Sequence, residues 1–272
     1  MKNDFTFHTL KLRSKILLAR IIYLFFKLCR IDDEVQIKRK NINWKVNIND
    51  IVGLSVFLTG GFQNKKLKEF NNLILENTLL VDIGANIGTF SIRSKVNNKN
   101  IKKILCVEPD IDNFKRLKKN IEENKLSFTV FPFLNYVGES LDKKSSSHYP
   151  LNLKKDRINN RYNGMPGNFK KATQFDLKNI TTENFDNLAI KIDVDGNEFE
   201  VLSSLEQIIN QYKPIMLIEI NKGLLKLEEL DKIYNILNNL NYKIVSNNKN
   251  INLKSLKMTS KLYGRDLIFK VN

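Results

Sequence analysis

The spacing of apolar residues changes along the chain, and each change predicts a different element. Residues 11–30, KLRSKILLARIIYLFFKLCR, mix a long apolar content with regularly placed basic residues, which predicts a basic apolar helix. In EVQIKRK and NINWKVNI the period drops to two. Val35 and Ile37, then Ile42, Trp44, Val46 and Ile48, alternate with polar residues around Lys40-Asn41, the signature of a β-hairpin. GLSVFLTGGFQ, residues 53–63, is broken by glycines and reads as a connection into the helical KKLKEFNNLIL. These segments make residues 1–74 an N-terminal appendage to a main domain at 75–272.

From residue 75 the pattern becomes strands alternating with helices, which predicts a parallel sheet with helices on both faces. LLVDI is an unbroken apolar strand and NIGTFSIRSKV opens a helix. IKKILCVE is the second strand, followed by the helix DNFKRLKKNIEEN with Phe114, Leu117 and Ile121 inward and Lys115, Arg116, Lys118 and Lys119 on a solvated face. FTVFPFLNYV is the third strand, and a polar insertion at 138–171 follows, too long for a simple turn. LAIKIDV and PIMLIEI are the fourth and fifth strands, with the helix NEFEVLSSLEQIINQ between them. Leu224, Leu227, Leu230, Ile233, Leu237 and Leu240 form part of an apolar stripe on the next helix, and NYKIVS and RDLIFKV end the sequence as two strands that can pair antiparallel.

Composition narrows the functional classes. The 272 residues are 42% hydrophobic, enough for one large core. Cys29 and Cys106 stand far apart and outside any C-x-x-C, which excludes a disulfide framework and suits a reducing, cytoplasmic setting. His8 and His148 are too few and too separated for a histidine metal cage. The net charge of +16 raises the question of nucleic acid. Its lysines come with abundant asparagine and isoleucine, as an AT-rich coding sequence would produce, and no aromatic-basic RNA signature accompanies them. The 11–30 helix is short of the about 20 apolar residues that a bilayer span needs, and Arg20 and Lys27 interrupt it. It either packs on the main domain or touches an anionic membrane face from the cytoplasmic side.

Candidate chemistry gathers at strand ends, where open parallel sheets bind ligands. The first strand ends in Asp82 and a turn with Gly84, Asn86 and Gly88. The second ends in Glu108, 20 residues after Gly88, where an acid accepts hydrogen bonds from ribose hydroxyls. The third ends near Asn135, the fourth in Asp193, the fifth in Glu219 with Asn221 just beyond. A pyrophosphate would call for the triplet G-x-G-x-x-G, and here Asn86 replaces its middle glycine. Asp82 favours a cationic ligand over a phosphate. S-adenosylmethionine, with a ribose, an ammonium and a sulfonium, fits that demand.

VDIGANIGTFS, VEPDIDNFKRLKKNI and IKIDVDGNEFEVL resemble the three signature blocks of the FkbM-type S-adenosylmethionine-dependent methyltransferases, with PIMLIEI following in place; the likeness runs over about residues 50–270. The resemblance implies a class I methyltransferase, Rossmann-like fold of seven strands, mostly parallel with the last antiparallel. It also implies O-methylation of a hydroxyl on a sugar, glycan or secondary metabolite. On this likeness Asp82, Gly84, Asn86 and Gly88 form the cofactor loop, Glu108 is the ribose-binding acid, and Asp193 lies near the methyl group. Asp195 and Gln63 depart from the family, which usually has glutamate at both places.

For activation of the acceptor the residues leave several routes. Asp193 can act as base or orienting acceptor, with Lys191 on the same strand face as its ion-pair partner. Asp193, Glu219 and Asn221 could instead form an all-oxygen Mg²⁺ site, and His148 could bring a base from the insertion. A nucleic-acid methyltransferase would show a Pro-Pro-aromatic motif or a Pro-Cys nucleophile, where this chain reads DVDG.

Overall fold

The computed structural model describes residues 21–61, 63–139, 146–148, 165–166, 168–169, 171–220, 225–245 and 265–271. The expectations about Asn221, Leu224 and most of the 138–171 insertion fall outside these residues. The chain divides into two compact units, one of residues 1–62 with 148–165, the other of residues 63–147 with 166–272.

In the first unit, helix α1 (residues 21–28) leads into strands β1 (Glu34–Arg39) and β2 (Ile42–Asn47), an antiparallel hairpin in which Val35 faces Val46 and Ile37 faces Trp44. Lys40 and Asn41 both take positive φ, 51° and 62°, as the tightest hairpin turns require. Ile42, Trp44, Val46 and Ile48 are all buried, so the period-two reading identified the inward face. The segment expected to be a connection is instead helix α2 (Ile51–Thr59). Asp50 caps it by accepting from the N–H groups of Val52 and Gly53 at 3.0 and 3.2 Å, and Gly60 ends it at φ 75°. Gly53 is what disguised the helix. A Cβ there would stand 2.0 Å from the Asn47 carbonyl oxygen, so glycine marks close packing on the hairpin rather than a break.

The second unit opens with helix α3 (Asn64–Asn71) and is built on strands β3 (Thr78–Ile83), β4 (Ile101–Val107) and β5 (Val130–Phe133). Helices α4 (Thr89–Asn97) and α5 (Ile111–Glu123) connect them. Short strands β6 (Asn135–Tyr136), β7 (Ser146–His148), β8 (Met165–Pro166) and β9 (Thr173–Gln174) and helix α6 (Lys178–Thr181) follow along the chain, His148 and Met165 counting with the first unit. The chain continues through β10 (Asn187–Ile192), α7 (Glu198–Tyr212), β11 (Ile215–Ile220), α8 (Leu227–Asn239), β12 (Tyr242–Val245) and β13 (Arg265–Val271).

The main sheet has the order β12-β13-β11-β10-β3-β4-β5, with β13 antiparallel to both neighbours and every other pairing parallel. This is the seven-stranded α/β sheet expected, with the last strand reversed. β3 is buried along its whole length, which explains its unbroken apolar sequence. Pro132 is tolerated because β5 lies at the sheet edge. The third strand is shorter than expected, since β6 leaves the main sheet to pair with β9. On α8 the inward stripe is narrower than expected: Leu230, Ile233 and Leu237 are buried, whereas Leu227 is 76% exposed.

From β3 the chain steps outward to β4 and β5, then returns to lay β10 and β11 on the other side of β3. The strand order therefore reverses between β3 and β10. The crevice above their carboxyl ends is where such a sheet receives a ligand.

Candidate active site

The loop after β3 holds three left-handed residues within five positions: Gly84 at φ 78°, Asn86 at 51° and Gly88 at 87°. The two glycines answer different demands. A Cβ on Gly84 would lie 1.9 Å from the Asp193 carbonyl oxygen, so this glycine lets the loop cross the end of β10. A Cβ on Gly88 would lie 2.8 Å from Leu117 Cδ1, so this one lets α4 approach α5. Asn86 tolerates its conformation by accepting from the Ile87 N–H with its own side chain at 2.8 Å. Asn120 fixes the loop from below, donating to the Ile87 carbonyl at 2.9 Å.

Glu108 leaves the end of β4 and is only 4% exposed. Its Oε2 accepts the Asn86 N–H at 2.7 Å and its Oε1 the Asp110 N–H at 2.9 Å. Burial pushes this carboxyl up to about 8, against the opposing pull of those two N–H groups. In its ionised form a carboxylate can accept about four hydrogen bonds, which leaves two acceptor positions for hydroxyl donors. Asp110 caps α5 through the Asp112 and Asn113 N–H groups and also accepts the Asn168 N–H at 2.6 Å, which ties the end of the insertion to this loop.

Asp82 is fully buried, and its charge is met from inside the protein. Lys191 stands beside it in register on β10, with Nζ 3.2 Å from Asp82 Oδ1, 2.9 Å from the Gly84 carbonyl oxygen and 3.3 Å from Asp193 Oδ2. Ser91 donates to Asp82 Oδ2, and the buried Cys106 thiol donates to Ser91 at 3.1 Å. Burial would strip Lys191 of its proton, but Asp193 and Asp82 outweigh it and hold the ammonium charged. Lys191 therefore pairs with both acids, not with Asp193 alone.

Asp193, at the end of β10, belongs to an acidic cup. One carboxylate oxygen from each of Asp193, Asp195 and Glu219 lies within 4.8 Å of the others. The antiparallel course of β13 sets Asp266 directly opposite Glu219. Gln63 donates from Nε2 to Asp266 Oδ1 at 3.2 Å and also hydrogen-bonds Asp193. Burial would raise the Asp193 carboxyl, but Lys191, together with hydrogen bonds from Glu219, Lys191 and Gln63, holds it below the usual carboxylate range. The Asp193 charge, aided by burial, pushes Glu219 up to about 11, and the two acids share a proton. Burial and Asp193 raise Asp266 to about 6. Asp193, Asp195 and Glu219 have the hard oxygens that a divalent cation would take.

Glu198, the first residue of α7, is fully buried and accepts the Gly196 N–H at 3.1 Å through Oε1. Burial pushes it up to about 8. It supports the Asp195-Gly196 turn, whose residues sit at φ 50° and 105°.

The other candidates lie differently. The Asn135 side-chain amide is committed to β9, donating to the Thr173 carbonyl at 3.0 Å and to Thr173 Oγ1 at 2.9 Å. The His148 side chain and Asn221 lie outside the described residues. Sequence reasoning missed Asp266, Glu198 and the bridging role of Gln63. A charged pair opening the last strand and an acid at a helix start were the available signals.

The family description "Methyltransferase FkbM domain" matches residues 82–244. No curated protein matches the chain. Among solved structures, a putative transferase from Pyrococcus horikoshii is 14% identical with a TM-score of 0.50, the alignment covering 93% of this chain and 82% of that one. TYW2 of M. jannaschii, solved with AdoMet, is 13% identical with a TM-score of 0.46, covering 89% and 88%. The M. jannaschii tRNA m1G37 methyltransferase is 15% identical with a TM-score of 0.48, covering 89% of this chain and 55% of that one.

Proposed function

The chain belongs to the FkbM methyltransferase family, and from that premise we propose that it transfers a methyl group from S-adenosylmethionine to a hydroxyl of an uncharged or cationic acceptor, such as a sugar, glycan or secondary metabolite. The residues of the loop fit this donor. Glu108 is a buried acid with acceptor positions left for two ribose hydroxyls. The turn lacks the middle glycine of the dinucleotide pattern, with Asn86 in its place, which disfavours a pyrophosphate. When bound, S-adenosylmethionine supplies an electrophilic methyl group on a cationic sulfur.

The observation that carries the acceptor assignment is the cup of Asp193, Asp195 and Glu219 at the ends of β10 and β11. Several carboxylates in one crevice disfavour a polyanion and favour hydroxyl donors. Asp193, held ionised by Lys191, accepts the hydroxyl proton or orients the hydroxyl by hydrogen bonding. Glu219 and Gln63 fix its carboxylate, so little reorganisation accompanies the transfer.

A second reading, methylation of nucleic acid, draws on the net charge of +16. The acidic cup weighs against it. Calorimetry with S-adenosylhomocysteine, followed by transfer assays on glycosides and on RNA, tests both. Micromolar binding that disappears in Glu108→Ala, with transfer to a glycoside hydroxyl, supports the proposal. Binding of NAD instead, or transfer to RNA alone, would overturn it.

A further inference from the structure

Helix α1 has two faces with different surroundings. Tyr23 is 5% exposed, and Phe26 meets Phe57 of α2 edge-on with ring centroids 5.1 Å apart, so one face is packed within its own unit. Ile21, Leu24, Phe25 and Leu28 follow the helical spacing i, i+3, i+4, i+7 and are 54%, 43%, 60% and 83% exposed. A contiguous exposed apolar stripe in water marks an interaction surface.

The stripe is held in place at its far end. The Ile31 N–H donates to the Phe26 carbonyl at 2.9 Å and the Arg30 N–H to the Lys27 carbonyl at 3.1 Å, a Schellman closure with Arg30 at φ 56°. Asp33 clamps the helix to the start of β1, pairing with Lys27 at 2.9 Å and accepting from the Tyr23 hydroxyl at 3.3 Å. Turning the stripe inward would break these contacts.

Charge selects the occupant. The segment 11–30 carries six basic residues and no acid, within a chain of net charge +16. A second copy would bring the same positive charge to the contact. Nucleic acid would answer the charge but offers no apolar layer. An anionic lipid surface offers both, with acyl chains for the stripe and headgroups for the basic residues. We propose that α1 docks this protein on an anionic membrane, lying in the interface plane without crossing it. Among the described residues no helix is long and apolar enough to cross a membrane.

Co-sedimentation of the full chain with phosphatidylglycerol–phosphatidylcholine vesicles, against phosphatidylcholine alone, tests this. The expected result is pelleting with the anionic vesicles, weakened by salt. Phe25→Glu with Leu28→Glu should lower partitioning by about tenfold or more, and the serine pair should lower it in the same direction. Both side chains are exposed, so the melting temperature should hold. Three results would overturn the proposal: no pelleting of the wild type, both double variants pelleting as the wild type does, or substitutions that dissolve a dimer and leave pelleting unchanged. Methyl transfer plays no part in this readout.

Discussion

Lys191 and Asp82 face each other in register across two parallel strands, and the same ammonium reaches Asp193 at 3.3 Å. One buried cation thus joins the loop after β3 to the acid that ends β10. Two halves of the site, drawn from distant parts of the sequence, share one counter-ion.

Lys191→Met strands two carboxylates, one of them fully buried, and removes a donor to the Gly84 carbonyl. The expected loss is about 3–5 kcal/mol of unfolding free energy, as for other broken buried pairs. Adding Asp82→Asn should recover part of it. Urea denaturation measures both, and a loss below about 1 kcal/mol would show that the pair behaves as a surface salt bridge.

Asp193→Asn should lower kcat by about 10²–10⁴, the range for removal of a positioned base, while leaving S-adenosylhomocysteine binding intact. Because Asp193 is held below the usual carboxylate range, wild-type kcat should be flat through neutral pH and fall only in acid. Excess EDTA should leave turnover unchanged, since Lys191 already supplies positive charge beside Asp193. Activity that is lost to EDTA and restored by Mg²⁺ would assign the Asp193, Asp195 and Glu219 oxygens to a metal instead.

Glu198 gives a pH signature for stability. Its folded value of about 8 lies above the ordinary 4.5, so the folded state holds the proton more tightly than the unfolded chain. This contribution is fully present below pH 4.5 and is lost as pH rises toward 8, by up to about 1.4 kcal/mol per pH unit. Glu198→Gln should flatten that fall and raise the melting temperature near pH 8. Denaturation midpoints taken across the window will show an unchanged slope if Glu198 is ionised in the native state.

Gly84→Ala should be much worse than Gly88→Ala. Both sit at positive φ, but the first Cβ meets a backbone carbonyl at 1.9 Å, which cannot move aside. The second meets Leu117 Cδ1 at 2.8 Å, the far end of a flexible side chain. Soluble yield and melting temperature rank them, and equal losses would mean that the shared backbone strain dominates.

Much of the fold is legible because strands buried on both faces leave unbroken apolar runs, as in β3. The parallel alternation follows from such runs and their spacing, and the lack of a helix between the last two strands allows them to pair antiparallel; that the last strand is the reversed one is what the family resemblance implies. Strand ends are equally readable, and Asp82, Glu108, Asp193 and Glu219 all stand at them. Contacts made by the third dimension were not. Asp266 reaches Glu219 only because β13 runs backward, and Gln63 reaches Asp193 from a segment before the sheet begins. Asp82 reads in the sequence as facing a cationic ligand, whereas the cation the structure sets against it is the protein's own Lys191, an adjacency that depends on β10 lying beside β3. Gly53 misled because a glycine chosen for close packing looks like one chosen for a turn.

The reversed β13 also sets a timetable. Asp82, the glycine loop and Glu108 lie within residues 78–108, whereas Asp266 lies on a strand that emerges from the ribosome more than 150 residues later. The sheet cannot place Asp266 beside Glu219 until that strand inserts between β11 and β12. A nascent chain can therefore shape the loop after β3 while the acidic cup is still open, and β13, made after the other six strands of the main sheet, is the one that closes it.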